Sequence, residues 1–344
     1  MTMKKINSIL MAAALMAGSL TSCVNDSVEE TTAATPQLSG QEIRFNAGMG
    51  GSLTRATAET TTDNLTSFQV YAFSGATAYI SNVPFGKSGS SFAASEGTYY
   101  WPAAGGLDVF AWSPASAITP SASSASQTFA YNISDWKSAV DLIVADKANK
   151  TSESSNLTFN HMLSQISFQA KMATSANYDV TLTKVTLKNI KPELSYSYTS
   201  SRTLTAQGTA KDYEVNCGSI DLETTAKDVK EGTNLLMLVP QELNGTISGS
   251  SITGTYVAAS IVVKKNGVTL FTGDVNLPLK SSDSGYEDWE AGKRYAYTIE
   301  FGDESGSTEG IGYTSTGAVQ RLGGITLTAT VSPWTDGTGG DLKF

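Results

Sequence analysis

The chain has 344 residues, room for about two domains of ordinary size, with 40% hydrophobic and 16% charged side chains. Acidic residues outnumber basic ones, 32 to 23, and the net charge of −9 speaks against a nucleic-acid partner, which would call for a basic face. One histidine and two cysteines leave little material for metal binding or for cross-links.

The first residues read as a processing segment. Lys4 and Lys5 form a basic start, and residues 9–17 form an apolar stretch too short for a permanent span. Leu20-Thr21-Ser22-Cys23 follows, an aliphatic residue and two small ones before a cysteine. This is the pattern of a bacterial lipobox, in which the thiol is acylated and the chain is cut before it. Residues 1–22 are therefore expected to be a lipoprotein signal peptide, with Cys23 anchored in outer-membrane lipid; several acyl chains together hold stably where one would be marginal. Residues 24–30 (VNDSVEE) carry an acidic patch resembling the surface-export signal of Bacteroidia lipoproteins. The polar, Thr-rich stretch up to residue 40 suits a flexible tether. With Cys23 acylated, Cys217 has no partner and is expected to be buried and inert.

Ile43-Arg44-Phe45-Asn46-Ala47 alternates, which puts Ile43, Phe45 and Ala47 on one face of a strand. Phe68-Gln69-Val70-Tyr71-Ala72-Phe73 alternates in the same way. Between them lie Gly48, Gly50, Gly51 and a run of small polar residues with one basic side chain, Arg55. A loop of that length and composition has no evident packing role and suits a protease. Residues 23–55 are thus expected to be a tether and a removable first strand.

Residues 81–97 are turn-rich, residues 107–114 form a strand stopped by Pro114, residues 116–126 a Ser/Ala-rich loop, and residues 141–145 a short buried strand. Residues 157–168 alternate almost throughout. A second set of strands is expected over residues 180–190, 235–239, 252–263, 268–277 and 289–301. Asn266-Gly267 supplies the positive φ values of a hairpin turn. After a Gly/Ser/Thr-rich stretch, Ile325, Leu327, Ala329 and Val331 share one face with threonines on the other. Such a strand can pair in its own domain or reach another molecule. The pattern is all-β, with two sandwich domains in series over residues 56–165 and 166–344.

Several segments occur in an order resembling the fimbrillin family, the pilin-like surface proteins of Bacteroidia type V pili. They are Thr54-Arg55-Ala56, Tyr100-Trp101-Pro102, the 108–112 strand, Asp141-Leu142-Ile143, Phe159-Asn160-His161-Met162-Leu163-Ser164, Val239-Pro240-Gln241, Trp289-Glu290-Ala291-Gly292-Lys293-Arg294-Tyr295 and Val331-Ser332-Pro333-Trp334. The resemblance implies two transthyretin-like β-sandwiches in a lipoprotein precursor at the outer membrane, assembled into a fimbrium. It further implies that an arginine-specific surface protease cuts after Arg55. Residues 43–47 then leave, and a strand from another fimbrial subunit fills the groove, with residues 325–331 matching the donated strand. Arg44, the rival cut site, lies inside the alternating strand. The alternative is an uncleaved surface lipoprotein: a pilus anchor or tip, or a monomeric adhesin binding a glycan, host protein or bacterial surface receptor.

Catalysis has little to work with. His161 falls in an alternating strand and is expected to be structural. No nucleophile elbow, zinc-protease, P-loop, calcium-loop or CxxC motif is present. Residues 283–290 (DSGYEDWE) read as a solvated acidic turn. Trp101, Trp112 and Trp334 are expected to be core or joint residues. No enzyme activity, cofactor or metal is expected.

Overall fold

A computed structural model describes residues 38–50, 63–232, 236–248, 251–279, 288–302, 311–313, 319–320 and 325–333. Cys23, Arg55 and Trp334 lie outside these residues. The first half of the chain contributes β1 (Leu38–Glu42), β2 (Arg44–Met49), β3 (Ser67–Ser74), β4 (Thr77–Ser88), β5 (Ser91–Ala94), β6 (Tyr100–Pro102), β7 (Leu107–Ser113), β8 (Ser121–Ala122), β9 (Gln127–Asn132), β10 (Ile143–Lys150) and β11 (Asn156–His161). The second contributes β12 (Ser164–Met172), β13 (Asp179–Ile190), β14 (Glu193–Tyr198), β15 (Arg202–Gln207), β16 (Lys211–Asp221), β17 (Lys227–Val229), β18 (Leu236–Leu238), β19 (Thr246–Ser248) and β20 (Ser251–Thr253). It ends with β21 (Tyr256–Lys265), β22 (Val268–Pro278), β23 (Lys293–Phe301), β24 (Ile311–Tyr313), β25 (Val319–Gln320) and β26 (Ile325–Pro333). A single 3-10 turn, Trp136–Ser138, is the one helical element among the described residues. The fold is all-β, as the alternating segments imply.

Seven strands close on themselves by backbone pairing, in the order β10-β11-β2-β5-β4-β3-β7 and back to β10. The remaining strands form open sheets: β17-β12-β23-β26 with β18 also on β12, β16-β13-β21-β22-β24-β25, and β15-β14-β9-β8. Two short ribbons, β1-β6 and β19-β20, stand outside them. Asn266 and Gly267 adopt φ of 51° and 78° and join β21 to β22, the left-handed pair that a two-residue hairpin needs.

Apolar side chains form two clusters. One fills the closed ring and includes Phe45, Phe68, Phe85, Phe92, Trp101 and Phe159. The other fills the space among the open sheets, with Phe168, Tyr196, Trp289 and Phe301 among its members. β7 and β10 serve both. On β7, Val109 and Ala111 face the ring interior while Phe110 and Trp112 face the second cluster; on β10, Ile143 and Ala145 point inward and Val144 outward. Successive side chains of a strand point to opposite faces, so a stretch covered on both sides reads as a continuous apolar run. Val109-Phe110-Ala111-Trp112 is such a run, while Asp108 before it is only partly covered and pairs with Lys147.

The sequence order does not separate the clusters cleanly. Ile118, Phe129, Tyr131, Ile133 and Trp136, all from the stretch expected to belong to a first domain, are buried in the second cluster. β9 leads them there by pairing with β14 over six residues. Tyr213 Oη–H donates to the Ile133 carbonyl (2.6 Å), and Trp136 Nε1–H donates to the Glu214 carbonyl (2.8 Å), so the crossing segment is tied by polar bonds too.

Three readings of the sequence change. Residues 81–97, expected to be turns, hold most of β4 and all of β5. Asn82 (φ 54°), Pro84 and Gly86 give a turn-like composition, but pairing with β3 on one side and β5 on the other overrides local preference. The run 157–168 is two strands, broken at Met162 and Leu163, so that β11 joins the ring and β12 an open sheet. Cys217 is half-buried rather than buried; burial still pushes its thiol above the ordinary range.

His161 ends β11, and it is structural. It is buried, and its Nδ1 lies 2.9 Å from Asp141 Oδ1, itself buried just before β10. The pair straddles the junction at which Met162 N–H donates to the Leu142 carbonyl. His161→Ala deletes a hydrogen bond to a buried carboxylate and is expected to cost about 1.5–3 kcal/mol. Urea unfolding of the two proteins, compared at equal slope, checks this; a change under half a kcal/mol would contradict the assignment.

Candidate functional site

β2 is the link between β5 and β11 in the ring. Its start pairs antiparallel with β5 (Arg44 opposite Ala93, Phe45 opposite Phe92). Its end pairs parallel with β11, from Asn46 opposite Asn156 to Met49 opposite Phe159. Among the described residues no other strand joins β5 to β11. Three further backbone bonds fix its place: Ile43 N–H to Tyr99 O (2.8 Å), Asn46 N–H to Ser155 O (3.3 Å) and Gly50 N–H to Phe159 O (2.6 Å). Asn46 Nδ2 also donates to Asn156 Oδ1 (3.0 Å).

The inward face is apolar in the order expected. Ile43 and Phe45 are 1% and 0% exposed, while Ala47 and Met49 are partly covered and pack on the same cluster. The Phe45 ring lies 5.2 Å from that of Phe85 and meets Trp101 edge-on at 5.9 Å. Phe68, in contact with Phe92 and Phe159, forms the floor beyond. Burying two large side chains of this kind stabilises by roughly 1.5–3 kcal/mol each. The outward face is polar: Arg44 is exposed and pairs with Glu42 at 2.9 Å.

Two features of this place were not read from the sequence. One is β1, which precedes β2 without a loop and pairs with β6, the strand whose buried Trp101 meets Phe45 of β2. The other is Gly50. A side chain there would run into that of Asn160 and press on Thr158. The cluster Gly48, Gly50, Gly51 was a signal for close approach, but β11 could not be named as the neighbour. Downstream, the chain passes through residue 55 and returns to the ring at β3; the Arg55 segment itself lies outside the described residues.

β26 occupies the end of the β17-β12-β23-β26 sheet. It pairs antiparallel with β23 over nine residues, from Phe301 opposite Ile325 to Lys293 opposite Pro333. Ile325 is buried, while Leu327, Ala329 and Val331 are half-buried against the second cluster. The neighbouring Tyr295 hydroxyl is pushed up to about 12 by burial and donates to the Asp288 carbonyl (2.8 Å). Trp289, the described end of the acidic 283–290 run, is buried rather than solvated, and its Nε1–H donates to Tyr297 Oη (2.9 Å). Trp101 and Trp112 are core residues.

A family model described as fimbrillin-like matches residues 54–334. The chain belongs to the fimbrillin-like family. No curated protein matches it. Among solved structures, a fimbrial protein from Bacteroides vulgatus superposes with a TM-score of 0.57 at 16% identity, covering 85% of this chain and 99% of that one. A Parabacteroides distasonis protein named for cell adhesion gives 0.54 at 10% identity, covering 88% and 99%. Another so named, from Bacteroides uniformis, gives 0.50 at 17%, covering 86% and 99%. These likenesses concern the fold. The family match starts at residue 54, which leaves β1 and β2 of this fimbrillin-like chain ahead of it.

Membership of this family marks a structural protein rather than an enzyme. Among the described residues no group of three His, Cys, Asp or Glu side chains is placed to hold a metal ion, and no helix is long and apolar enough to cross a membrane. What distinguishes this fimbrillin-like ring is an apolar place, lined by Phe85, Trp101 and Phe159, that β2 fills.

Phe45→Ala should therefore destabilise the intact chain by about 3–5 kcal/mol, the usual cost of emptying a well-packed aromatic site. Thermal unfolding with and without the substitution measures it. A loss below 1 kcal/mol would mean that β2 is not part of the core.

Proposed function

We propose that this chain is a structural subunit of a cell-surface fimbria. In this reading it is exported as a lipoprotein through Cys23, cut after Arg55 by an arginine-specific surface protease, and joined to other fimbrial subunits by strand donation, in support of adhesion. The observation that carries the reading is the position of β2. It links β5 to β11 in the ring, it is with β1 the first strand among the described residues, and the Arg55-bearing segment follows directly in the sequence. One cut in that loop would convert β1 and β2 from part of the chain into a bound peptide. Their loss would bare the edges of β5 and β11 and the apolar floor under Phe45. An open, apolar edge of that kind takes up another strand readily. Arg44 is a poorer target, because its backbone is held in the ladder opposite Ala93.

The donated strand is assigned to Ile325, Leu327, Ala329 and Val331 of β26. That strand is held on one side only, by β23, and would have to leave it. Its nine-residue ladder with β23 favours a second reading, in which the chain keeps its strands in place as an uncleaved surface lipoprotein, a pilus anchor or tip or a monomeric adhesin.

The N-terminal residue and intact mass of protein released from the cell surface test the proposal. A start at Ala56 is expected, with Arg55→Ala leaving a lipid-bearing monomer. Normal polymers from Arg55→Ala would sink the mechanism, and an acylated Cys23 on all surface protein would favour the uncleaved alternative.

A further inference from the structure

Among the described residues there are three arginines, Arg44, Arg202 and Arg294, and the fold holds them differently. Arg294 is buried on β23, paired with Gln165 of β12 on one side and Ser332 of β26 on the other. Arg44 stands between Ile43 and Phe45, both of them buried. Arg202 alone of the three follows an exposed turn. It is the first residue of β15, and Thr199-Ser200-Ser201 joins it to β14. Thr199, Ser200, Ser201, Arg202 and Thr203 are all exposed.

Exposed loop tips built of small polar residues are where folded proteins are most readily nicked. A protease needs more than exposure, because it holds its substrate extended against its own backbone. β15 offers that as well. It ends its sheet, so its six-residue ladder with β14 uses one edge and leaves the other open. After Arg202 it carries no charge and no proline, and its register against β14 runs without a shift.

We propose that the Arg202–Thr203 bond is a second cleavage site for an arginine-specific endopeptidase, that the product is a nicked subunit of two chains held together, and that Asp146 restrains the cut. This shares with the reading above only the class of protease. The step is hydrolysis: one water adds across the amide, so that Arg202 ends in a carboxylate and Thr203 begins with an ammonium group.

Asp146 falls at the register shift of β10 against β7. Its Oδ2 lies 3.5 Å from Arg202 Nη1, and its Oδ1 accepts from the Tyr196 hydroxyl at 2.7 Å. The ion pair draws the guanidinium back to the body of the protein, whereas a protease pocket must take the whole side chain. Both partners are partly exposed, so the restraint slows the cut without preventing it.

The two pieces stay joined because strands from both sides of the cut share three sheets. β12 pairs with β17, β18 and β23, β13 with β16 and β21, and β14 with β15. β14 is fixed by its ladder with β9 and by buried Leu194 and Tyr196. Leu204 and Ala206 of β15 pack on the second cluster. The nick therefore removes a covalent link and no strand.

The full wild-type chain is incubated under native conditions with an arginine-specific endopeptidase, then read by N-terminal sequencing from a denaturing gel and by size-exclusion chromatography. A new terminus at Thr203 is expected, with both pieces co-eluting. Arg202→Lys keeps the charge but not the recognised side chain, and should remove that terminus without changing cleavage at Arg55. Asp146→Asn keeps an acceptor for the Tyr196 hydroxyl and loses the ion pair; it should speed the cut about threefold. Equal rates in this variant and the wild type overturn the role of Asp146. An uncut Arg202–Thr203 bond after complete cleavage at Arg55 overturns the site and leaves the strand-donation reading untouched. A cut that appears only with global unfolding, with the same dependence on urea, overturns it too. Cleavage at Arg202 but never at Arg55 supports this inference and sinks that reading.

Discussion

The structure depends on the closure of seven strands through one of them. A sheet closed on itself has no edges, and each strand in it is satisfied on both sides. Here that closure runs through β2, whose first residues serve β5 and whose last serve β11. The division of labour explains why so short a strand matters. Neither neighbour reaches the other, and the aromatic cluster of Phe68, Phe85, Phe92, Trp101 and Phe159 lies directly behind the seam. β1 and β2 precede every other described strand in sequence, so this link between β5 and β11 is made by the earliest described part of the chain.

Opening the seam need not unravel the rest. β3 and β7 lie on the opposite side of the ring's order from β2, and β7 and the start of β10 are covered on both faces. Their outer side chains, Phe110, Trp112 and Val144, belong to the second cluster, reinforced by β9 and its pairing with β14. The His161–Asp141 pair sits where β11 and β10 leave this shared wall. One half of the ring is thus braced by a second core, and the other half, around β2 and β5, is held mainly by its own ladder. Resistance is concentrated on the side away from the seam.

How much of this the sequence disclosed follows from where each signal came from. β2, β3, β7 and β26 were legible because alternation by itself reports a covered face, and Asn266-Gly267 because left-handed φ values are written in residue type. β4 and β5 were not, since Asn82, Pro84 and Gly86 argue locally for turns and only pairing on both sides makes strands of them. Residues 193–221, which form β14, β15 and β16, passed without assignment for a similar reason: many of their side chains are polar, and β14 and β16 take their register from β9 and β13, earlier in the chain. The place of β2 was half legible. Ile43, Phe45 and Ala47 could be placed on one face, but the switch from an antiparallel to a parallel neighbour and the crowding of Gly50 by Asn160 belong to the tertiary structure.

The two long edges of the open sheets show how exposure of a strand is managed. β16 is interrupted by two register shifts against β13 and carries Lys211, Asp212, Glu214 and Asp221, features that discourage a further strand from docking. β26 has none of them. It runs nine residues without a charged side chain, without a register shift against β23 and without proline before its last position. Natural sheets seldom leave such an edge unless pairing is wanted there. Its alternating threonines make one face polar, while Ile325, Leu327, Ala329 and Val331 pack on the second cluster. A charge turned to that face or a bulge in the strand would guard the edge but would also disturb the nine-residue ladder with β23. Guarding the edge and keeping an unbroken ladder are therefore competing demands on one strand, and this sequence meets the second.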